Sequence, residues 1–387
     1  MHVSREFQLV AACCRWPPSA ARDEAVLAAA REVDWTLVAR IAERHRVEGL
    51  TWNALRLAGA AVPDEPSDRL RIAADRIARQ NLHLTAESIR LSSRLEAGGI
   101  RHHFVKGITL GALVYGSVGP KMGWDVDLLV DPGSVEAASA VLEEAGYRLA
   151  IPRGPKARDR LRLWHDHWKE SVWVKAEGEV HVELHTRLAD NPQLLTEVGP
   201  ASRRVPVEVA PGRTLPTLGT DELFAYLCVH GASSAWFRLK WIADVGALIG
   251  GFEPAEVERL YRRSQALGAG RSAAQALLLC ERLFGTALPP ALAAELRAGR
   301  MNRWLLGVAL RKLAGRSVAT ELRDTRLGTA TIHLMQLGLL PGLRFKVGEL
   351  GRQLVNPADR IAVPLPRGLS FLYPLVAITR RLRGGAS

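Results

Sequence analysis

One stretch constrains this chain more than any other: residues 100–130, IRHHFVKGITLGALVYGSVGPKMGWDVDLLV. It reads as strand, glycine turn, helix, basic loop and strand. Ile100 to Val105 is short and rich in β-branched and aromatic side chains, as strands are. Gly107 permits a tight turn, and Ile108 to Tyr115 has helical character. The second strand, Trp124 to Val130, carries the chemistry. Side chains alternate along a strand, so Asp125, Asp127 and Leu129 share one face. Val126, Leu128 and Val130 share the other, which belongs to a core. Two carboxylates on one face are costly unless something positive sits between them. A hard divalent cation answers this economically, because Mg2+ takes oxygen ligands and often only one or two protein carboxylates. The plain alternative is a pair of solvated acids on an edge strand.

At 387 residues the chain can bury a full core, and its length suggests two or three domains. A net charge of +12 favours anionic partners: nucleotides, nucleic acid or an anionic membrane surface. The four cysteines include the adjacent pair Cys13 and Cys14 and form no CxxC pattern, so a structural zinc site is not expected. No basic segment followed by a long apolar run opens the chain, and no run reaches the ~18 apolar residues of a membrane span. The expectation is a cytoplasmic protein.

Residues 1–97 read as helical, with 3.6-residue spacing over Glu24 to Arg31, Trp35 to His45 and Glu48 to Leu57. Pro63 to Ser67 reads as a breaker-rich loop, and a long helix from Asp68 ends at Gly98-Gly99. Residues 98–218 read as an α/β core. Asp131 and Pro132 start a helix that Gly146 ends, and Pro152 to Arg162 is expected to be a basic loop. Strands follow at Ser171 to Lys175 and Glu179 to Leu184, joined by a turn at Glu177-Gly178, with a further hairpin around Pro211-Gly212. Residues 219–387 are helical again. The tail runs from the apolar LSFLYPLVAI to the basic TRRLRGG, which suits either docking on its own domain or contact with an anionic surface. The expected fold class is therefore α+β, a small mixed sheet with helical regions before and after it.

Three more clusters bear on chemistry. On the strand VHVELH, His181, Glu183 and His185 face one way and Val182 and Leu184 the other. If this strand neighbours Asp125 and Asp127, Glu183 completes a three-carboxylate site able to hold metal ions against a triphosphate. A zinc site using His181, His185, His165 and His167 competes with that reading, though the helical H-E-x-x-H spacing is missing. Lys106-Gly107 precedes a helix N-terminus, where backbone N–H groups bind phosphate well. Lys121 can pair with a phosphate or with the carboxylates. His230, Phe237, Trp241 and Asp244 fall near one face if their helix is continuous.

Taken together, FVKGITLGALVY, KMGWDVDLLV, VHVELHTRL and VHGASSAWFRLKWIADV resemble the uncharacterised nucleotidyltransferase family of the DNA polymerase β superfamily. The resemblance implies Gly107 as the turn glycine, Asp125 and Asp127 as paired ligands of Mg2+ or Mn2+, and Glu183 as the third acid. It implies a nucleoside triphosphate as substrate; beside it, the residues themselves offer Lys106, Gly107, Thr109 and Lys121 as candidate nucleotide contacts and His185 and His230 as candidate accessory groups. Two departures stand out. The usual glycine-serine turn is Gly107-Ile108 here, which leaves Lys106 or Thr109 to meet the phosphate. Lys121 stands where arginine is usual, keeping the charge but losing the bidentate fork. The acceptor, whether small molecule, peptide, protein or RNA, is not written in these residues. Two rival readings are a regulatory protein that binds nucleotide without turnover and a nucleic-acid-binding protein. Asp127→Asn is expected to abolish metal-dependent binding and, by relieving carboxylate repulsion, to raise stability without metal.

Overall fold

The computed structural model describes residues 3–175, 180–314 and 328–355, and beyond them 359, 360, 363, 365, 369, 372, 373 and 375. The chain opens with helices α1 (Arg5–Cys13), α2 (Ala20–Ala29), α3 (Trp35–His45), α4 (Glu48–Leu57) and α5 (Asp64–Ala97). Asp34 caps α3 by accepting the Leu37 N–H at 3.1 Å. The long helix starts earlier than its prolines suggest. Residues 63–67 are not a loop, because Pro66 falls in the first turn of α5, where a missing N–H costs no intrahelical bond.

The sheet is built from β1 (His102–Phe104), β2 (Asp125–Val130), β3 (Tyr147–Ile151), β4 (Glu170–Lys175) and β5 (His181–His185). Between them lie α6 (Ile108–Tyr115), α7 (Val135–Glu144) and α8 (Leu161–His167). Helix α8 takes over the end of the expected basic loop, since Leu161, Trp164 and His165 bury one face of it. The expected turn at Glu177-Gly178 lies outside the described residues. Strand order is β1-β2-β5-β4-β3, with β2 and β5 parallel and the other neighbours antiparallel. β2 is therefore an interior strand, and the solvated edge-strand reading of its acids fails.

Both sheet faces are covered. Val126, Leu128, Val130, Val182 and Leu184 pack with Leu84, Leu91 and Leu95 of α5 and Val135, Ala138 and Leu142 of α7. Leu129, on the acidic face, packs into a second core instead. A hairpin of β6 (Arg204–Ala210) and β7 (Arg213–Leu218) follows, tied to the sheet by Thr217 Oγ1 donating to Phe104 O at 2.6 Å.

The rest of the described chain is helical: α9 (Thr220–Ser233), α10 (Leu239–Ile249), α11 (Pro254–Ala266), α12 (Gly270–Phe284), α13 (Pro290–Ala298), α14 (Arg300–Leu313), α15 (Gly328–Gln336) and α16 (Leu343–Leu354). The stretch from His230 to Asp244 is not one continuous helix, so the condition for a shared face fails: α9 and α10 are separated by a turn with Ala235 and Trp236 at left-handed φ angles of 52° and 51°. Side chains of α1, α3, α4, α9, α10 and α12 share one apolar core. The end of α3 meets the start of α10, where the Leu239 N–H donates to His45 Nδ1 at 3.1 Å. The fold is α+β, as expected. Among the described residues no helix is long and apolar enough to cross a membrane. Of the tail, Tyr373 is buried and its hydroxyl accepts the Leu365 N–H at 2.9 Å; residues 376–387, with the basic end, lie outside the described residues.

Glu48 gives the fold a pH dependence. It is 3% exposed, and its Oε2 has no hydrogen-bond partner. Burial pushes its carboxyl up to about 7. The folded state therefore holds a proton that the unfolded chain releases near pH 4.5, and this contribution to stability is lost as pH rises toward 7. Glu48→Gln is expected to be more stable than the parent by about 1–2 kcal/mol at pH 8, at about 1.4 kcal/mol per pKa unit discounted for partial solvation. The gain should shrink near pH 5. Thermal melts at both pH values check this, and an equal difference at both would sink it.

Candidate active site

Gly107 makes the turn into α6 at φ +63°, and a Cβ there would approach Asp125 O to 3.4 Å. Thr109 secures the turn from below. Its buried hydroxyl donates to Phe104 O at 3.0 Å and to Lys106 O at 3.2 Å, and it does not line the cavity above. Lys106 does line that cavity.

The parallel pairing of β2 and β5 sets Asp125 opposite His181, Asp127 opposite Glu183 and Leu129 opposite His185. Adjacent strands lie about 4.8 Å apart, so Asp127 and Glu183 are brought side by side. His185 Nε2 lies 3.2 Å from Asp127 Oδ1 and 3.4 Å from Glu183 Oε2. Ligand atoms of Asp127, Glu183 and His185 all fall within 4.8 Å of one another, the one such metal-capable group among the described residues. Asp127 Oδ2 is buried with no hydrogen-bond partner. An orphaned carboxylate oxygen beside a second carboxylate fits a hard divalent cation. Asp125 lines the same cavity but stands outside that trio.

Lys106 supplies the positive charge now. Its Nζ is 2.5 Å from Asp127 Oδ1 and 3.8 Å from Glu183 Oε2. Burial alone would lower the lysine, but Asp127, Asp125 and Glu183 outweigh it and hold it well above its usual range. Glu183 is held well below the usual carboxylate range, as Lys106, His185 and Lys169 override its burial. Burial and the Asp127 charge push Asp125 up, against the pull of Lys106. His185 is raised to about 9: burial and Lys169 lower it, but hydrogen bonds to Asp127 and Glu183 prevail. At neutral pH it is an imidazolium that donates toward the two carboxylates.

The cavity encloses about 220 Å³. Lys121 lines it, paired with Asp244 at 3.3 Å, not with the acids of β2. Asp244 also accepts the Tyr115 hydroxyl at 3.1 Å. His230 and Trp241 reach the cavity from separate helices, their rings edge to face at 5.6 Å. Burial and then Lys106, Lys169 and Lys240 hold His230 well below its usual range, so it is neutral. Phe237 does not line the cavity, and the guanidinium carbon of Arg44 lies 5.5 Å from the centre of its ring. The histidines of the zinc reading are scattered. His165 lies between Thr186 Oγ1 and Ser171 Oγ, at 3.2 and 3.1 Å, and His167 contacts Arg360 at 3.4 Å.

Two lining residues carried no recognisable pattern, Arg46 just past α3 and Lys169 before β4, whereas Lys240 on α10 belongs to the run from His230 to Asp244. Burial and Lys121 lower Lys240 to about 7. Asn81 was missed too, although a polar residue on the buried stripe of α5 beside Ile77 and Leu84 was a usable signal. Its Nδ2 donates to Val118 O at 2.5 Å and Lys121 O at 2.6 Å, and its Oδ1 accepts the Gly123 N–H at 3.1 Å. The loop from Ser117 to Gly123 is thus clamped to α5.

The chain thus combines a small mixed sheet, a glycine turn opening a helix, and acids on neighbouring strands with several lysines around them. Residues 31–285, well over half of the chain, match the family described as uncharacterised nucleotidyltransferase, and the chain belongs to that family. A comparison with curated proteins returned no match.

Proposed function

We propose that the protein is a cation-dependent nucleotidyltransferase that moves a nucleoside monophosphate from a nucleoside triphosphate to a hydroxyl-bearing acceptor. The acceptor oxygen bonds to the α-phosphorus, the bond from that phosphorus to the bridging oxygen breaks, and pyrophosphate leaves with the electron pair. The acceptor proton passes to a carboxylate of the site, Glu183 or Asp125, whichever lies nearest the acceptor. The observation that carries this reading is the side-by-side placement of Asp127 and Glu183 with Asp127 Oδ2 unpaired.

Asp127 and Glu183, with Asp125 at the rim, would hold Mg2+ or Mn2+, which when bound neutralises phosphate charge and orients the triphosphate. Lys106, Lys121, Lys169, Lys240 and Arg46 surround the same space and suit a polyanion. Gly107, at the N-cap of α6, lines the same space, and the N-terminus of a helix suits phosphate. His185 keeps the two carboxylates aligned. The test is incubation with each labelled nucleoside triphosphate, Mg2+ or Mn2+ and a cell extract, following pyrophosphate release and label transfer. Label in a product together with pyrophosphate is the expected result. Cation-dependent nucleotide binding with no pyrophosphate release would replace the enzyme with a nucleotide-binding regulator.

A further inference from the structure

Trp124 is 58% exposed, although it directly precedes the strand that carries Asp125 and Asp127. A large ring left in water beside a site built for a polyanion calls for a partner. Trp124 borders two cavities: the acidic one and a neighbouring slot of about 300 Å³. Ile77 and Met122 give the slot an apolar surface, while Arg76, Gln80 and His181 add polar groups at its margin. Met122, Gly123 and Trp124 line both cavities, so one ligand can straddle them. That ligand has a polyanionic end and a planar, partly apolar end bearing hydrogen-bonding edges.

The shared wall is rigid before any ligand arrives. Asn81 bonds the Gly123 N–H and the Lys121 carbonyl, and a Cβ on Gly123 would come within 2.5 Å of Asn81 Oδ1. Glycine is what lets the loop approach α5 this closely. Arg46 lines the acidic cavity, and its guanidinium carbon lies 5.7 Å from the centre of the Trp124 ring, restraining that ring from the phosphate side. We propose that the slot is the nucleobase subsite and that Trp124 is the surface on which the base stacks. The proposal rests on the nucleotidyltransferase reading and adds where the donor's base is held.

The two readings fail differently in one binding experiment. The affinities of the intact protein for the four Mg-nucleoside triphosphates and for Mg-tripolyphosphate are compared with those of Trp124→Ala and Trp124→Phe. Stacking on an aromatic side chain accounts for about 10- to 100-fold in affinity per base. Trp124→Ala should therefore weaken the best nucleotide by about 10-fold or more, leave tripolyphosphate unchanged, and be largely restored by Trp124→Phe. Equal affinity of the parent and Trp124→Ala for every nucleotide, or a parallel loss for tripolyphosphate, would overturn the subsite alone. Failure of the parent to bind either tripolyphosphate or any nucleotide would overturn the transferase reading and the subsite with it.

Discussion

Asp127→Asn is expected to abolish cation-dependent nucleotide binding and to lower the stability of the cation-free protein by roughly 2–4 kcal/mol. The first effect follows from the loss of a carboxylate that faces Glu183 across neighbouring strands and keeps one oxygen unpaired. Transfer should fall at least about 100-fold, the scale of removing one electrostatic contact to a reacting phosphate. The second effect reverses the expectation drawn from carboxylate repulsion. Asp127 is the closest counter-charge of Lys106, at 2.5 Å, and an acceptor for His185 at 3.2 Å. Removing it leaves the buried His185 and the partly buried Lys106 short of negative charge, and Glu183, 3.8 Å from Lys106 Nζ, compensates only in part. Thermal unfolding in the presence of a chelator decides the sign. A variant melting above the parent would show that repulsion between the acids outweighs their pairing with Lys106.

Asn81→Ala should also destabilise by roughly 2–4 kcal/mol, since buried donors and acceptors stripped of partners cost about 1–3 kcal/mol each. The side chain meets the carbonyls of Val118 and Lys121 and the N–H of Gly123, and alanine meets none of them. Asn81→Asp is the sharper variant. It keeps an acceptor for Gly123 but sets a carboxylate against two carbonyls, so it should be no more stable than alanine. Because the loop carries Lys121 and leads into Asp125, nucleotide affinity should drop in both variants even at temperatures where they remain folded. Calorimetry paired with nucleotide titration tests this. A parent-like melting temperature for Asn81→Ala would remove the clamp from the account.

Local patterns predicted what is local. Helices α3, α4 and α6 end where their periodicity and glycines place them, and the alternation in DVDLLV and HVELH separates acids from core as expected. Pairing between β2 and β5 is tertiary and entered only as a condition, yet it brings Asp127 to Glu183. Alternation says which side chains share a face but not which of them come within ligand distance: Asp127, Glu183 and His185 do, while Asp125, expected beside the first two, lines the same cavity. Arg46, Lys169 and Lys240 come from three distant segments, and no spacing rule joins them. The left-handed residues at Ala235 and Trp236 escaped notice because neither is a residue type that prefers that conformation.

The recognisable family signature and the unit that folds do not coincide. The match begins at residue 31, yet Phe7, Leu9, Val10, Ala11 and Ala12 of α1 are buried in the same apolar core as Leu277 and Leu279 of α12. The match ends at residue 285, yet Leu292, Leu296, Ala309 and Leu313 close that core from beyond it. A chain trimmed to the matched window would expose both seams at once. Expression of such a fragment should give aggregation instead of a smaller active protein, and mutational tolerance in the unmatched helices should be as low as in the signature itself. Family boundaries drawn from motif similarity therefore underestimate how much of the polypeptide must be inherited together.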